Sequence, residues 1–269
     1  MIRQCLLTVA AVVSLGALPV FAQSANDMVR VSILPGWRMA DGSHMAAIKF
    51  VLTDGWKTYW RAPGEAGIPP RFDWSASANL ERVEIEWPTP QQTMTNGMRT
   101  IGYANDLVLP VRLTPEREGR PITLGADMEI GVCSDICVPV SLSVTQQLGV
   151  EHQKPDPQIA GALAARPYSQ EEAGVGRVAC DVSPVEGGLR LVAEVDVPAM
   201  GTNEFVVVET NDPSLWVAQA KSRRDGRRLH AETEIFHVEG HGFILKRDDV
   251  RLTILSSGDA VDIQGCPAR

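Results

Sequence analysis

The sequence predicts an all-β protein in which a short helix joins two β-sandwich domains. Apolar residues alternate with other residues along several short runs, such as 107–113 and 189–197. A period of two is typical of a strand with one buried face. Turn sequences such as Asp225-Gly226 and Asn96-Gly97 recur between these runs, as expected for short strands joined by tight turns. Together these patterns favour sandwiches over a mixed α/β fold.

Two further runs, residues 205–208 and 243–245, are apolar throughout and predict strands buried on both faces. One stretch breaks the β pattern: residues 156–166 are rich in alanine and lie between Pro155 and Pro167. Pro157 suits a first helical turn, and Pro167 prevents the helix from continuing. We therefore predict a linker helix within residues 153–168, a first domain at 23–152 and a second domain at 169–269.

The N-terminus predicts export. Arg3 precedes an apolar stretch at residues 6–18, and small residues follow just before Gln23. This arrangement is typical of a secretory signal peptide, here residues 1–22, which is removed on maturation. No later segment reaches about 18 consecutive apolar residues, so no membrane span is expected.

The charge distribution argues against a nucleic-acid partner. The chain carries a net charge of −8, and its one basic cluster lies at residues 221–228. The rest of the surface would repel phosphate, so this cluster is predicted to be a solvated hairpin tip.

Removal of Cys5 with the signal peptide leaves four cysteines, an even number that in an exported protein predicts disulfides. Three pairings are possible, and the simplest joins Cys133 to Cys137 and Cys180 to Cys266. The long-range bridge would close a large loop and contribute roughly 4–5 kcal/mol, so it is predicted to be structural. Free or reactive thiols at these two positions are the alternative.

The Cys133/Cys137 pair is the best candidate for chemistry. The alternation of apolar residues on either side predicts a hairpin in which both sulfurs point away from the core and are exposed. A bridge across so short a loop adds little stability, and an exposed bridge exchanges readily. Asp135 within the loop would raise a neighbouring cysteine's pKa, and the loop holds no Lys, Arg or His. The pair is thus predicted to be attacked by a partner's thiolate rather than to act as a strong oxidant.

Three other interpretations of the pair are open from the residues alone. The bridge could simply staple a hairpin. A zinc site shared with His237 and His241 is disfavoured, because these histidines lie in the other predicted domain. Copper(I) binding could use the thiolates together with Met94 and Met98, since soft ligands suit this ion. No resident metal or cofactor is assigned.

The first domain resembles the N-terminal periplasmic domain of DsbD, the thiol:disulfide interchange protein, and is closer to the corresponding region of ScsB-type suppressor-of-copper-sensitivity proteins. The resemblance covers roughly residues 28–150. The motifs that carry it, in the family's order, are Asp54-Gly-Trp-Lys-Thr-Tyr-Trp-Arg61, Pro63-Gly-Glu-Ala-Gly-Ile-Pro-Pro70, Phe72-Asp-Trp74, Trp87-Pro-Thr-Pro90, Gly102-Tyr103, Leu107-Val-Leu-Pro-Val111 and Cys133-x-x-x-Cys137-x-Pro139.

The resemblance implies immunoglobulin-like β-sandwich domains and a redox-active pair at Cys133 and Cys137, with Cys137 meeting the partner. It implies a periplasmic protein that receives electrons from a thioredoxin-like partner or a membrane DsbD/CcdA-type relay and passes them to disulfide clients. If the chain is an enzyme, the resemblance implies a thiol:disulfide oxidoreductase of the protein-disulfide reductase type.

The resemblance also implies residues that shield or support the pair. Residues 91–98 fall where DsbD has a cap loop. The supporting set is Tyr59, Met94, Met98, Tyr103, Asp135 and Pro139. DsbD has more residues between its cysteines, and its cap loop has acidic and aromatic residues that are missing here. No membrane relay or thioredoxin-like domain is expected after the second domain, so the reductant is expected to be another protein. Redox exchange, a copper-tolerance module and a β-sandwich adaptor remain the three hypotheses.

Overall fold

The computed structural model describes residues 25–95, 97–151 and 153–268. The predicted signal peptide lies outside these residues. The two α-helices of the described residues are α1 (Ala25–Met28) and α2 (Pro157–Ala164), and Arg247–Asp249 form a short 3₁₀ helix. The strands are β1 (Val29–Arg38), β2 (His44–Leu52), β3 (Lys57–Gly64), β4 (Arg71–Asp73), β5 (Arg82–Ile85), β6 (Gln91–Thr95), β7 (Met98–Ala104), β8 (Asp106–Thr114), β9 (Ile122–Cys133), β10 (Cys137–Leu148), β11 (Val178–Val185), β12 (Gly188–Asp196), β13 (Phe205–Thr210), β14 (Leu215–Val217), β15 (Lys221–Asp225), β16 (Arg228–His237), β17 (Val250–Leu255) and β18 (Ala260–Gln264).

Strands β1 to β10 form two sheets, which we call the first sandwich. One sheet has the order β1-β2-β8-β5; the other has the order β10-β9-β3-β7-β6, with β4 paired to β9. Alternate side chains of the two sheets meet in one core, for instance Ile48 and Leu109 from one sheet and Trp60 and Ile130 from the other. The predicted alternation along residues 107–113 is confirmed, because Leu107, Leu109, Val111 and Leu113 are all buried.

Strands β11 to β18 form the second sandwich. Its sheets have the orders β11-β12-β16-β14, with β15 also paired to β16, and β13-β17-β18. Leu191, Val206, Ile235 and Leu252 contribute to the second core. With only two short α-helices in the described residues, the predicted all-β class is confirmed. No helix in the described part of the chain is long and apolar enough to cross a membrane.

Helix α2 forms where the proline pattern predicts a helix. The Asp156 carboxylate caps its N-terminus by accepting from the backbone N–H groups of Gln158 and Ile159, at 2.8 and 3.2 Å. Ile159 is fully buried against Met45 and Ala47 of β2. The helix therefore covers the outer face of the β1-β2-β8 sheet, and this explains why β2 is buried on both faces. The domain boundaries on either side of it stay a prediction.

The Cys180–Cys266 disulfide is present, with both residues buried and their Cα atoms 5.5 Å apart. It ties β11 to the segment after β18, where the N–H of Cys180 also donates to the carbonyl of Pro267 at 2.7 Å. The bridge spans 86 residues of sequence. A buried bridge that closes a loop of this size is well suited to stabilise the second sandwich.

Two sequence predictions in the second sandwich have different outcomes. Residues 221–228 do form a hairpin end, in which Arg224 and Arg227 pair with Glu204 and Asp196. The prediction of a strand at residues 243–245 is wrong. This segment has no partner strand and Ile244 is 90% exposed. Phe243 and Leu245 pack against the core of the second sandwich, which accounts for the apolar pattern although the segment has no strand pairing.

Candidate functional site

The β9–β10 hairpin brings the cysteine pair together. Cys133 ends β9, Cys137 begins β10, and the two residues are directly opposed in the strand register with their Cα atoms 4.1 Å apart. They form a disulfide. Within the connecting turn, the N–H of Ser134 donates to the carbonyl of Ile136 at 3.1 Å. This contact closes the turn, in which Ile136 is 63% exposed.

The pair lies on the outer face of its sheet, as the alternation predicts. Ile130 and Val132 belong to the sandwich core, whereas Cys133 is opposed by Lys57 on the neighbouring strand. The expected exposure of both sulfurs is only half right. Cys137 is exposed, but Cys133 is 1% exposed. Cys137 is therefore the more accessible residue of the pair to an attacking thiolate.

Tyr59 contacts the disulfide directly. Its hydroxyl lies 3.1 Å from the Sγ of Cys137, and its side chain is 2% exposed. Burial raises the pKa of Tyr59 above its ordinary value. The hydroxyl therefore stays protonated at neutral pH, and it can donate a hydrogen bond to the sulfur of Cys137.

Two glycines leave room for the Tyr59 ring. A methyl group at Gly131 would lie 2.9 Å from the ring and 2.6 Å from Cβ of Ile68. A methyl group at Gly67 would also lie 2.9 Å from the ring. The segment 63–70, which we call the cover segment, thus packs closely over Tyr59 and the outer face of β9. The motif at residues 63–70 gave no sequence signal of this covering role.

Lys57 is the cation nearest to the pair in the strand register. Its backbone opposes Cys133, but its ammonium group lies 3.4 Å from the hydroxyls of Thr93 and Thr100 on the other side of β3. Asp135 is exposed in the turn. The loop itself contains no cation that could activate a thiolate. The lysine on the neighbouring strand directs its ammonium group towards Thr93 and Thr100.

The structure does not bring the predicted methionines to the sulfurs. Met98 lies six residues before Ala104 on β7, and Ala104 is at the level of Cys133 through Lys57. Six residues of strand span roughly 20 Å. Met94 and Met98 are 65% and 41% exposed. The cover segment packs against the ring of Tyr59 at Gly67. Gln91 and Thr93 of the 91–98 hairpin line a small cavity together with Tyr59.

The other two supporting residues lie on opposite sides of the sheet. Tyr103 faces the sandwich core, where its hydroxyl donates to the carbonyl of Pro88 at 2.7 Å and burial raises its pKa well above the ordinary value. Pro139 is exposed next to the hairpin end. With Ile68, Pro69 and Val140 it lines a groove of about 320 Å³. Arg71 and Glu129 also line this groove, which lies near the hairpin end that carries the exposed residue Cys137.

Metal ligation finds little support in the geometry. Among the described residues, no group of three or more His, Cys, Asp or Glu side chains is arranged to hold a metal ion. The rings of His237 and His241 lie 4.9 Å apart, but both belong to the second sandwich. The N–H of Glu239 donates to Nδ1 of His237 at 3.1 Å, which occupies one of its ring nitrogens.

The sequence comparisons identify the first sandwich. Residues 29–148 match the family "Thiol:disulfide interchange protein DsbD, N-terminal". No curated protein matches the chain.

Among solved structures, the chain is similar to the N-terminal periplasmic domain of ScsB from Proteus mirabilis, with a TM-score of 0.68 and 18% identity. The match covers 93% of this chain and 97% of that one, so the fold of both sandwiches is shared. Over residues 29–148 the chain is therefore similar to the DsbD N-terminal family.

Proposed function

We propose that the protein is a periplasmic thiol–disulfide exchange protein that passes electrons between redox partners through Cys133 and Cys137. The observation that carries this proposal is the asymmetry of the pair: Cys137 is exposed at a hairpin end and Cys133 is 1% exposed. A staple needs no such asymmetry, whereas exchange needs one sulfur to be accessible and the other to be protected. The family of residues 29–148 supports the same chemistry.

The first step follows from accessibility. A thiolate of a thioredoxin-like partner attacks Sγ of Cys137, forming a mixed disulfide. The Cys133–Cys137 bond breaks, and Cys133 leaves with the electron pair and takes up a proton. The partner's second thiol then attacks its own half of the mixed disulfide and releases Cys137. Two electrons and two protons have moved to this protein, and the partner is left as a disulfide.

Delivery to a client is the same reaction in reverse. The Cys137 thiolate attacks a disulfide of an exported client, and one client sulfur leaves as a thiol. Cys133 then attacks Cys137 in the mixed disulfide, which restores the intramolecular bond and releases the reduced client. Throughout, Tyr59 donates to Cys137, the sulfur that changes partners, and so favours its thiolate form. The predicted signal peptide at residues 1–22 supports a location outside the cytoplasm for this cycle.

The test uses single cysteine variants of the mature chain mixed with a reduced thioredoxin-like protein whose own second cysteine is replaced by serine. With Cys133→Ser first oxidised to a mixed disulfide with glutathione, exchange at Cys137 should give a covalent complex that is visible on a non-reducing gel. Cys137→Ser should give little complex, because Cys133 is buried. A Cys180→Ser/Cys266→Ser variant that still folds is the matched control and should react as the unmodified chain does.

Two results would overturn the proposal. One is full client reduction by the Cys133→Ser/Cys137→Ser double variant. The other is a Cys133/Cys137 reduction potential below about −300 mV, which is typical of a structural staple. The potential is measured by thiol trapping in glutathione or dithiothreitol buffers.

A further inference from the structure

Glu65 attaches the cover segment to the second sandwich. The N–H of Glu65 donates to the carbonyl of Arg99 at 3.0 Å, and the Glu65 carboxylate accepts from the N–H of Arg99, also at 3.0 Å. Gln219 of the second sandwich completes this contact. With its amide nitrogen facing Glu65, it donates to the two carboxylate oxygens at 2.9 and 3.1 Å and accepts from Arg99 Nη1 at 2.6 Å. Glu65 therefore joins the cover segment to both sandwiches.

A second attachment lies two residues after Tyr59. The Arg61 guanidinium donates to both carboxylate oxygens of Glu209 at 3.0 and 3.1 Å, and to the hydroxyl of Thr253 at 3.1 Å. The side chains of Arg61 and Glu209 are only 14% and 20% exposed. Burial lowers the pKa of Arg61 while Glu209 opposes that effect. A bidentate pair that is this well buried fixes the strand that carries Tyr59 against the second sandwich.

The two sandwiches also share apolar packing near these attachments. Phe205, Leu255 and Ala260 of the second sandwich belong to the core of the first. The Arg99 guanidinium lies over the Phe205 ring, 4.1 Å from its centre. The second sandwich is therefore a rigid support for this region, and a variant that removes it would expose the first core.

These contacts form a continuous path from the second sandwich to the reactive sulfur: Gln219 contacts Glu65, the cover segment packs on Tyr59 at Gly67, and Tyr59 contacts Cys137. We propose that Gln219 and Glu65 are positioning residues of the exchange site, through which the second sandwich holds the cover segment closed over Tyr59 and limits attack on the disulfide. The inference rests on the proposed function, because it assigns the second sandwich a part in that chemistry.

The experiment measures the reaction of the oxidised mature chain with dithiothreitol, a small thiol that needs no docking surface. Gln219→Ala should react about fivefold faster, the factor that corresponds to one net hydrogen bond lost from the closed state. The matched control is Gln264→Ala, which removes a glutamine amide that donates to a carboxylate elsewhere in the second sandwich, at 3.1 Å from Asp262. It should react at the rate of the unmodified chain.

A second variant guards against a folding defect in the first. Glu65→Gln changes an exposed side chain and keeps an acceptor for Arg99, so it should fold and react about twofold faster, as expected for a weakened rather than lost contact. Rates equal to that of the unmodified chain in both variants, whatever their melting temperatures, would overturn the inference. Any accessible disulfide reacts with dithiothreitol, so this outcome is read independently of whether the pair exchanges with protein partners.

Discussion

Replacing Tyr59 by phenylalanine tests whether the buried hydroxyl adjusts the reactivity of Cys137. The change removes one hydroxyl from the 3.1 Å contact with Sγ and keeps the ring that fills the space beside Gly131. In the reduced protein the hydroxyl is placed to donate to the Cys137 thiolate. A hydrogen bond to a charged group contributes roughly 1.5–3 kcal/mol, and the lower end of that range suits a sulfur that is also exposed to solvent.

At about 1.4 kcal/mol per pKa unit, the loss should raise the pKa of Cys137 by about one unit. Below that pKa the thiolate fraction falls about tenfold, but each remaining thiolate is more nucleophilic, with a Brønsted coefficient of about 0.4–0.5. The net attack of Cys137 on a small disulfide at neutral pH should therefore slow by roughly three- to fourfold.

The assay is the pH dependence of alkylation at Cys137, read by mass spectrometry, together with the exchange rate with oxidised glutathione. The matched control is Tyr103→Phe. Tyr103 is buried in the same sheet, but its hydroxyl donates to the carbonyl of Pro88. That variant should lose stability and leave the pKa of Cys137 unchanged. Equal Cys137 pKa values in Tyr59→Phe and the unmodified chain would refute the reasoning.

Three further predictions concern stability. Gly131→Ala should destabilise the chain by about 1–3 kcal/mol through overpacking. Gly161→Ala has open space around it in helix α2 and should stabilise the chain by about 0.5–1 kcal/mol. Urea unfolding of both variants measures this contrast, and similar losses of stability in the two would contradict it. Cys180→Ser should cost roughly 4–5 kcal/mol in urea unfolding while the folded protein exchanges at its normal rate, and slower exchange would argue against a purely structural bridge. The hydrogen bond with Arg166 lowers the pKa of Glu172 from the ordinary 4.5 to about 2. The stability that the ionised Glu172 contributes is therefore present above pH 4.5 and lost as the pH falls to about 2. The melting-temperature difference between the unmodified chain and Glu172→Gln should shrink on acidification, and a difference that grows would contradict this.

The hairpin that carries the cysteines could be predicted from the sequence because its determinants are local. Alternation along β9 and β10 places Ile130 and Val132 in the core and Cys133 on the opposite face, and the structure agrees. Hydrophobic periodicity specifies which face of a strand is buried against the sandwich. It carries no information on whether something else covers the other face.

That missing information accounts for the errors at the site. Cys133 is buried, and two residues before it on β9 the Tyr59 ring and Ile68 of the cover segment, some seventy residues earlier in the chain, pack against the outer face at Gly131. The 91–98 hairpin, expected to shield the sulfurs, has a register that carries Met98 away from them. Register depends on pairing between distant strands, and a single sequence does not state it.

The two disulfides differ in how much they stabilise the fold. Cys180 and Cys266 are both buried, and they close a loop of 86 residues, so their bridge constrains much of the unfolded chain. Cys133 and Cys137 are four residues apart, and in the same chain-entropy estimate their bridge contributes only about 2 kcal/mol. Breaking the short bridge leaves the β9–β10 ladder and its core side chains in place, because these do not depend on the bond. Under the proposed function, the Cys133–Cys137 bond can therefore open and close while the buried Cys180–Cys266 bridge keeps the second sandwich folded as a support for it.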